Sequence, residues 1–222
     1  MHLFFENLVE PDFQFQQELE ESSITDFSFL NTSFSIEQSE FGCIGSCIWP
    51  ATNLIMSFLE SNSSLLVDKI VWDIGSGVGI LSICFALMNA KNVIATDIPY
   101  VLKWINHNIQ INKKLPQLET IVPHALVWGD EASVSELMSR YSPDFVFASD
   151  CVYSEESIPD LLSTVRLVLV NNPSTRVIFG IKWRAKATIS CFWETIKEMN
   201  FVTTKLLSDE NGIDVLELML VS

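Results

Sequence analysis

The chain has 222 residues, 28 acids against 13 Lys and Arg, a formal net charge of −15, and a hydrophobic fraction of 48% with 11% aromatics. That apolar content excludes a disordered chain and suffices for one large α/β domain with an extension. The acid excess repels phosphate backbones and anionic membranes and draws in a basic partner, so neither nucleic acid nor membrane is expected.

The N-terminus, Met-His-Leu-Phe-Phe-Glu, has no basic region, and its apolar run is too short for a signal peptide. No window approaches the roughly 18 apolar residues of a membrane span. The first 68 residues carry eleven acids and no cation before Lys69. Residues 1–40 read as an extension and 41–222 as the main domain. Within the extension, residues 1–32 read as irregular, yet Phe4, Phe5, Phe13, Phe15, Phe27 and Phe29 imply that part of it packs on the domain or folds against a partner. Phe34–Gln38 alternates as a strand does, and Gly42–Ile48 is the expected second arm of a hairpin. Pro50 suits a first helical turn, and Ala51–Glu60 has helical spacing.

From Lys69 the rhythm is strand–helix–strand. Strands are expected at Ile70–Ile74, Asn92–Thr96, Thr120–Pro123, Asp144–Ala148 and Arg176–Ile181. Helices are expected at Gly79–Asn89, Pro99–Asn112, Ser133–Arg140, Pro159–Val170 and Ile189–Asn200. Val202–Leu207 and Asp214–Leu220, parted by Asp-Glu-Asn-Gly, read as an antiparallel pair. Alternating β and α units ending in a hairpin predict a Rossmann-like α/β fold, a mostly parallel sheet with an antiparallel edge. The five cysteines, at 43, 47, 84, 151 and 191, form no disulfide or metal-ligand pattern and read as reduced thiols of a cytoplasmic protein.

Ligands of such sheets sit beyond the carboxyl ends of the strands. Three strand ends carry suitable chemistry: Asp73–Gly79, Thr96-Asp97 and Ser149-Asp150. Gly75 and Gly77 permit a tight turn and close approach of a ligand, though a glycine-rich turn can also serve packing alone. Asp97 is placed to accept both ribose hydroxyls of an adenosine ligand. A dinucleotide loop would put its third glycine at position 80, where Ile80 stands; glycine falls at 79 instead. With an acid just ahead of the loop and no base awaiting a pyrophosphate, S-adenosylmethionine is favoured over NAD. Trp128 either flanks the adenine or fills core. Asp150 and Tyr153 either project over the mouth or, for Asp150, cap the next helix, a role Ser154 could also take.

Trp49-Pro50-Ala51, Trp-Asp-Ile-Gly-Ser-Gly-Val-Gly, Thr-Asp-Ile-Pro, Asn108…Asn112, Val-Trp-Gly and Ser-Asp-Cys-Val-Tyr together resemble the seven-strand protein-lysine methyltransferases, in particular the methyltransferase-like branch with a DxxY motif after strand four. The resemblance covers about residues 34–222. It implies a class I methyltransferase sheet that binds S-adenosylmethionine through Gly75, Ser76, Gly77, Asp97, Trp49 and Trp128, with Ser149 beside the cofactor. It assigns the DxxY pair to Asp150 and Tyr153, where the expected role of Asp150 is to capture and aim the incoming ammonium. Lys182-Trp183-Arg184 and Phe192-Trp193 also resemble the family's stretch after strand five, without an assigned role. The expected protein is a monomer that methylates lysine on a basic surface of a large cytosolic target, such as an elongation factor or chaperone. The same fold methylating protein histidine or a small molecule, and a cofactor-binding module without turnover, are the alternatives.

Overall fold

The computed structural model describes residues 11–221. Its centre is a seven-stranded sheet in which every buried strand is a short apolar run. The strands are β3 (Ile70–Ile74), β4 (Asn92–Asp97), β5 (Ile121–Ala125), β6 (Phe145–Ser149), β7 (Arg176–Lys182), β8 (Phe201–Ser208) and β9 (Ile213–Leu220). Their spatial order is β5-β4-β3-β6-β7-β9-β8. The first five are parallel, and β9 and β8 close the edge as an antiparallel pair. This is the expected Rossmann-like class I architecture. Strand order reverses at β3, so the crevice above the ends of β3 and β6 is where a ligand belongs.

Helices cover both faces. On one lie α2 (Ala51–Glu60), α3 (Ile80–Leu87) and α4 (Leu102–Ile111), and on the other α5 (Glu131–Arg140), α6 (Ile158–Asn171) and α7 (Lys186–Glu198). The two-residue period of β6 divides its side chains between the layers: Phe145 and Phe147 pack with Ile55, Leu59 and Phe85, whereas Val146 and Ala148 pack with Leu161, Val165 and Phe192. Burying residues on both faces is what makes these strands read as continuous apolar runs.

The N-terminal region departs from the expected irregular arm. Pro11–Glu20 forms α1, and Ser23–Phe29 (β1) pairs antiparallel with Thr32–Gln38 (β2). Leu30 and Asn31 make the turn with φ of 47° and 63°, the two left-handed residues of a two-residue hairpin loop. The hairpin partner of Phe34–Gln38 therefore precedes it. Gly42–Ile48 is not a strand: Ile44–Ser46 is a short 3-10 turn. Phe15 meets Trp104 edge-on at 5.2 Å, Phe27 stacks on Phe34 at 5.8 Å, and Phe29 is buried, so this region does pack on the domain. Phe4 and Phe5 lie outside the described residues.

Two asparagines, Asn108 on α4 and Asn112 at its C-terminal cap, bind β2 as a neighbouring strand would. Asn112 accepts from Ser35 N–H at 2.9 Å and donates to Ser35 O at 2.6 Å. Asn108 accepts from Glu37 N–H at 2.8 Å and donates to Glu37 O at 3.0 Å and Val78 O at 2.9 Å. Four helical residues rise about 6 Å and two strand residues about 6.7 Å, so the spacings match.

Candidate active site

The loop from β3 to α3 is built on glycine. Gly75, Gly77 and Gly79 have φ of 68°, 55° and 84°. A Cβ on Gly75 would stand 2.7 Å from Cys151 Sγ and 3.1 Å from the Trp128 ring, and one on Gly77 would stand 3.0 Å from Gly45 O. These glycines therefore serve both backbone conformation and close packing. Ser76 N–H donates to Thr96 O at 3.0 Å, which ties the loop to β4, while the buried Ser76 hydroxyl has no partner. A buried hydroxyl left unpaired on a cavity wall is costly unless a ligand meets it.

The cavity above this loop measures about 590 Å³, within the usual range for small-molecule sites. Its wall includes every sequence-derived candidate: Trp49, Gly75, Ser76, Gly77, Asp97, Trp128, Ser149, Asp150 and Tyr153. Four carboxylates face or border it, from Asp73, Asp97, Asp150 and Asp160, and among the described residues its lining holds no Lys, Arg or His.

Asp97, at the end of β4, accepts from Gly77 N–H at 2.9 Å and Ile98 N–H at 2.8 Å. Burial still pushes its carboxyl upward, because those two bonds offset the desolvation only in part. Each oxygen keeps a lone pair for a ligand hydroxyl. Asp73, inside β3, receives Ser82 Oγ at 2.5 Å, and burial raises it to about 7. Ser149 lies 3.3 Å from Thr52 Oγ1 through its own hydroxyl. Trp128 borders Tyr153 with ring centres 6.2 Å apart, and Trp49, 38% exposed, anchors its Nε1–H on Ile44 O at 2.9 Å. Tyr153 is 43% exposed, and burial of its polar end pushes the phenol up, so it keeps its proton at neutral pH.

Asp150 follows β6 with φ of 54°, a conformation costly for a residue with a Cβ. Its Oδ2 accepts from Ala51 N–H at 2.6 Å; its Oδ1 accepts from Lys182 N–H at 3.3 Å and Arg184 Nη1 at 2.8 Å. It therefore caps α2, not the helix that follows it, and Ser154 Oγ accepts from Glu156 N–H at 3.2 Å. The Asp150 side chain is 1% exposed. Two donors meet Oδ1 and one meets Oδ2, which leaves a single lone pair on Oδ2 where the sequence suggested an open grip for an ammonium.

Two parts of the site carried no role in the sequence. The segment 43–48 walls the outer side of the cavity, with Gly45 O against Gly77 and a Gly45 Cβ position 2.7 Å from Val101. Its glycines at 42 and 45 were the available signal, masked by their strand-like neighbours. Arg184 pairs with Asp150 and lies 5.3 Å over the Trp49 ring. Its signal was a guanidinium between Lys182 and Lys186 just past a strand, in a chain poor in cations. Among the described residues no cluster of His, Cys, Asp and Glu could hold a metal, and no helix is long and apolar enough to cross a membrane.

A family model described as "Lysine methyltransferase" matches residues 28–199. The chain is 32% identical over 140 residues to the protein-lysine methyltransferase METTL21E of Mus musculus, covering 62% of this chain and 57% of that protein. It is 31% identical over 144 residues to the protein N-lysine methyltransferase METTL21A of Xenopus tropicalis, covering 64% of each. The chain thus spans somewhat over half the length of these two curated relatives. Among solved structures, the T. thermophilus 16S rRNA N2 G1207 methyltransferase, in complex with AdoMet and guanosine, superposes with a TM-score of 0.60 at 13% identity, covering 90% of this chain and 51% of that one. That likeness concerns the fold.

Proposed function

The chain belongs to the lysine methyltransferase family, and from that premise we propose that it transfers a methyl group from S-adenosylmethionine to a lysine side chain of a protein. The observation that carries the reading is the cavity at the β3–β6 switch: acidic, free of Lys, Arg and His among the described residues, and walled by the unpaired Ser76 hydroxyl. Such a wall suits a ligand with a sulfonium and an ammonium and opposes a pyrophosphate. When bound, S-adenosylmethionine supplies a methyl that an amine lone pair takes as the carbon–sulfur bond breaks and its electrons return to sulfur.

The chain's own work is then positioning and exclusion of water. Gly75, Ser76 and Gly77 offer backbone and a hydroxyl to the methionine end. Asp97 receives the ribose hydroxyls, and Trp49, Trp128 and Ser149 enclose the adenosine side. Tyr153, protonated and half-exposed at the mouth, is the catalytic residue of this proposal: its ring walls the acceptor stem, and its hydroxyl meets the amine. Asp150 is assigned as a positioning residue that ties α2, the end of β7 and Arg184 into one wall.

The substrate belongs to a basic protein surface in the cytoplasm, a reading supported by the −15 charge and five free thiols; nucleic acid and membrane are not partners, and the enzyme works as a monomer. The test supplies methyl-labelled S-adenosylmethionine to a cell lysate, followed by mass spectrometry and acid hydrolysis of the labelled band. The expected product is methyl-lysine on a protein. Label on histidine or on a small molecule would replace this function with the corresponding relative, and absence of cofactor binding by calorimetry would point to a non-catalytic module.

A further inference from the structure

The acidity that suits the cofactor works against the acceptor. A lysine amine attacks only after losing its proton, from a reference pKa of about 10.4, and nearby carboxylates hold that proton on. The wall presents Asp97 from β4, Asp150 after β6 and Asp160 from α6, and Asp73 from β3, raised by burial to about 7, joins them as a charge above that pH. Its other titratable groups give no relief: Cys43, Cys47, Cys151 and Tyr153 are all pushed upward by burial and stay neutral near pH 7.

A cation does reach the wall from outside. Arg184, 35% exposed in its side chain and just past β7, donates from Nη1 to Asp150 Oδ1 at 2.8 Å and to Lys182 O at 3.2 Å. Its guanidinium lies 5.3 Å over the ring of Trp49, itself a wall residue. Asp150 cannot swing away to meet a substrate ammonium, because Ala51 N–H and Lys182 N–H fix both of its oxygens. Guanidinium also does not titrate in the working range, so the pair is a fixed one.

Resting on the function proposed above, we propose that Arg184 sets the protonation state of the methyl acceptor. It cancels the Asp150 charge toward the mouth, so the site holds the ammonium proton less tightly and that proton passes to water. The lone pair freed on nitrogen then forms the new carbon–nitrogen bond. Arg184 is thus a positioning residue that acts through Asp150, apart from any contact with the cofactor.

The test measures initial rates of labelled-methyl transfer to the lysate protein labelled above, from about pH 6 to about pH 10, for the wild type, Arg184→Lys and Arg184→Gln. Binding of S-adenosylhomocysteine is followed in parallel by calorimetry. Arg184→Gln is expected to bind S-adenosylhomocysteine as the wild type does, while the midpoint of its acid limb moves up by about one pH unit or more. Arg184→Lys, which keeps the charge, is expected to hold the midpoint near the wild-type value. A merely structural role would lower the rate equally at every pH, and an unshifted midpoint in Arg184→Gln overturns the proposal. Where Arg184→Gln is too slow to profile, Arg184→Ala is assayed with added methylguanidinium. Recovered transfer supports the proposal, and its failure with intact S-adenosylhomocysteine binding overturns it. If the wild type itself labels no protein lysine, the function above has failed and not the role of Arg184.

Discussion

Asp73 shows how far a single side chain can depart from what its neighbours in sequence suggest. It sits inside a strand, 1% exposed, with a serine hydroxyl as its side-chain partner. In the folded chain it keeps its proton to about 7, against 3.8 ordinarily. The folded state therefore binds the extra proton across that window. Its contribution to stability is full below the lower value and is lost as pH rises through the upper one. Thermal unfolding of the ligand-free protein should accordingly show a lower Tm at about pH 8 than at about pH 5. Asp73→Asn, whose amide oxygen still accepts from Ser82, should shrink that drop, and an unchanged drop would deny Asp73 the role. At this scale the site was largely readable: glycines at 75 and 77, an acid at 97 and tryptophans at 49 and 128 occupy one wall. What the sequence could not convey was occupancy. Asp150 was identified, but the three donors on its carboxylate come from residues 51, 182 and 184, and no local pattern reports such distant partners.

Among the elements, those from residue 70 onward follow their apolar period, because the central strands β3, β6 and β7 are buried on both faces and most of the helices on one. The hairpin is the counterexample. β1 reads Ser-Ile-Thr-Asp-Phe-Ser-Phe and is mostly exposed, its turn lacks glycine, and its partner strand is held by asparagines about 70 residues away. Long-range hydrogen bonds, together with the burial of Phe29, Phe34 and Ile36, decide that pairing, so local propensity alone placed the second arm on the wrong side. Asn108→Ala would leave Glu37 N–H, Glu37 O and Val78 O without their partner. The expected cost is about 2–3 kcal/mol, at about 1 kcal/mol per bond. Chemical denaturation measures the loss, and amide exchange should quicken first at Glu37. An Asn108→Ala protein with wild-type stability would show that water replaces the side chain freely.

For the molecule as a whole, charge was visible from composition, whereas its location was not. The fold gathers four carboxylates around one cavity and leaves the N-terminal third without a cation before Lys69. If a basic protein surface docks here, raising salt from about 50 mM to about 300 mM should raise KM for that protein severalfold, since the Debye length falls below 10 Å. Binding of S-adenosylhomocysteine should change little across the same range. A KM indifferent to salt would remove charge from the account of substrate choice. The segment 43–49 bears on traffic through the proposed active site. It walls the cavity from outside, its Gly45 carbonyl rests on Gly77, and Trp49 is pinned to Ile44. Tyr153 and the residues proposed to hold the cofactor line one cavity, so on the proposed function a docked protein would stopper it. Turnover should then run in compulsory order, cofactor first in and spent cofactor last out. In product-inhibition kinetics, S-adenosylhomocysteine should compete with S-adenosylmethionine but not with the protein, so that each methylation requires the protein to leave before the enzyme can reload.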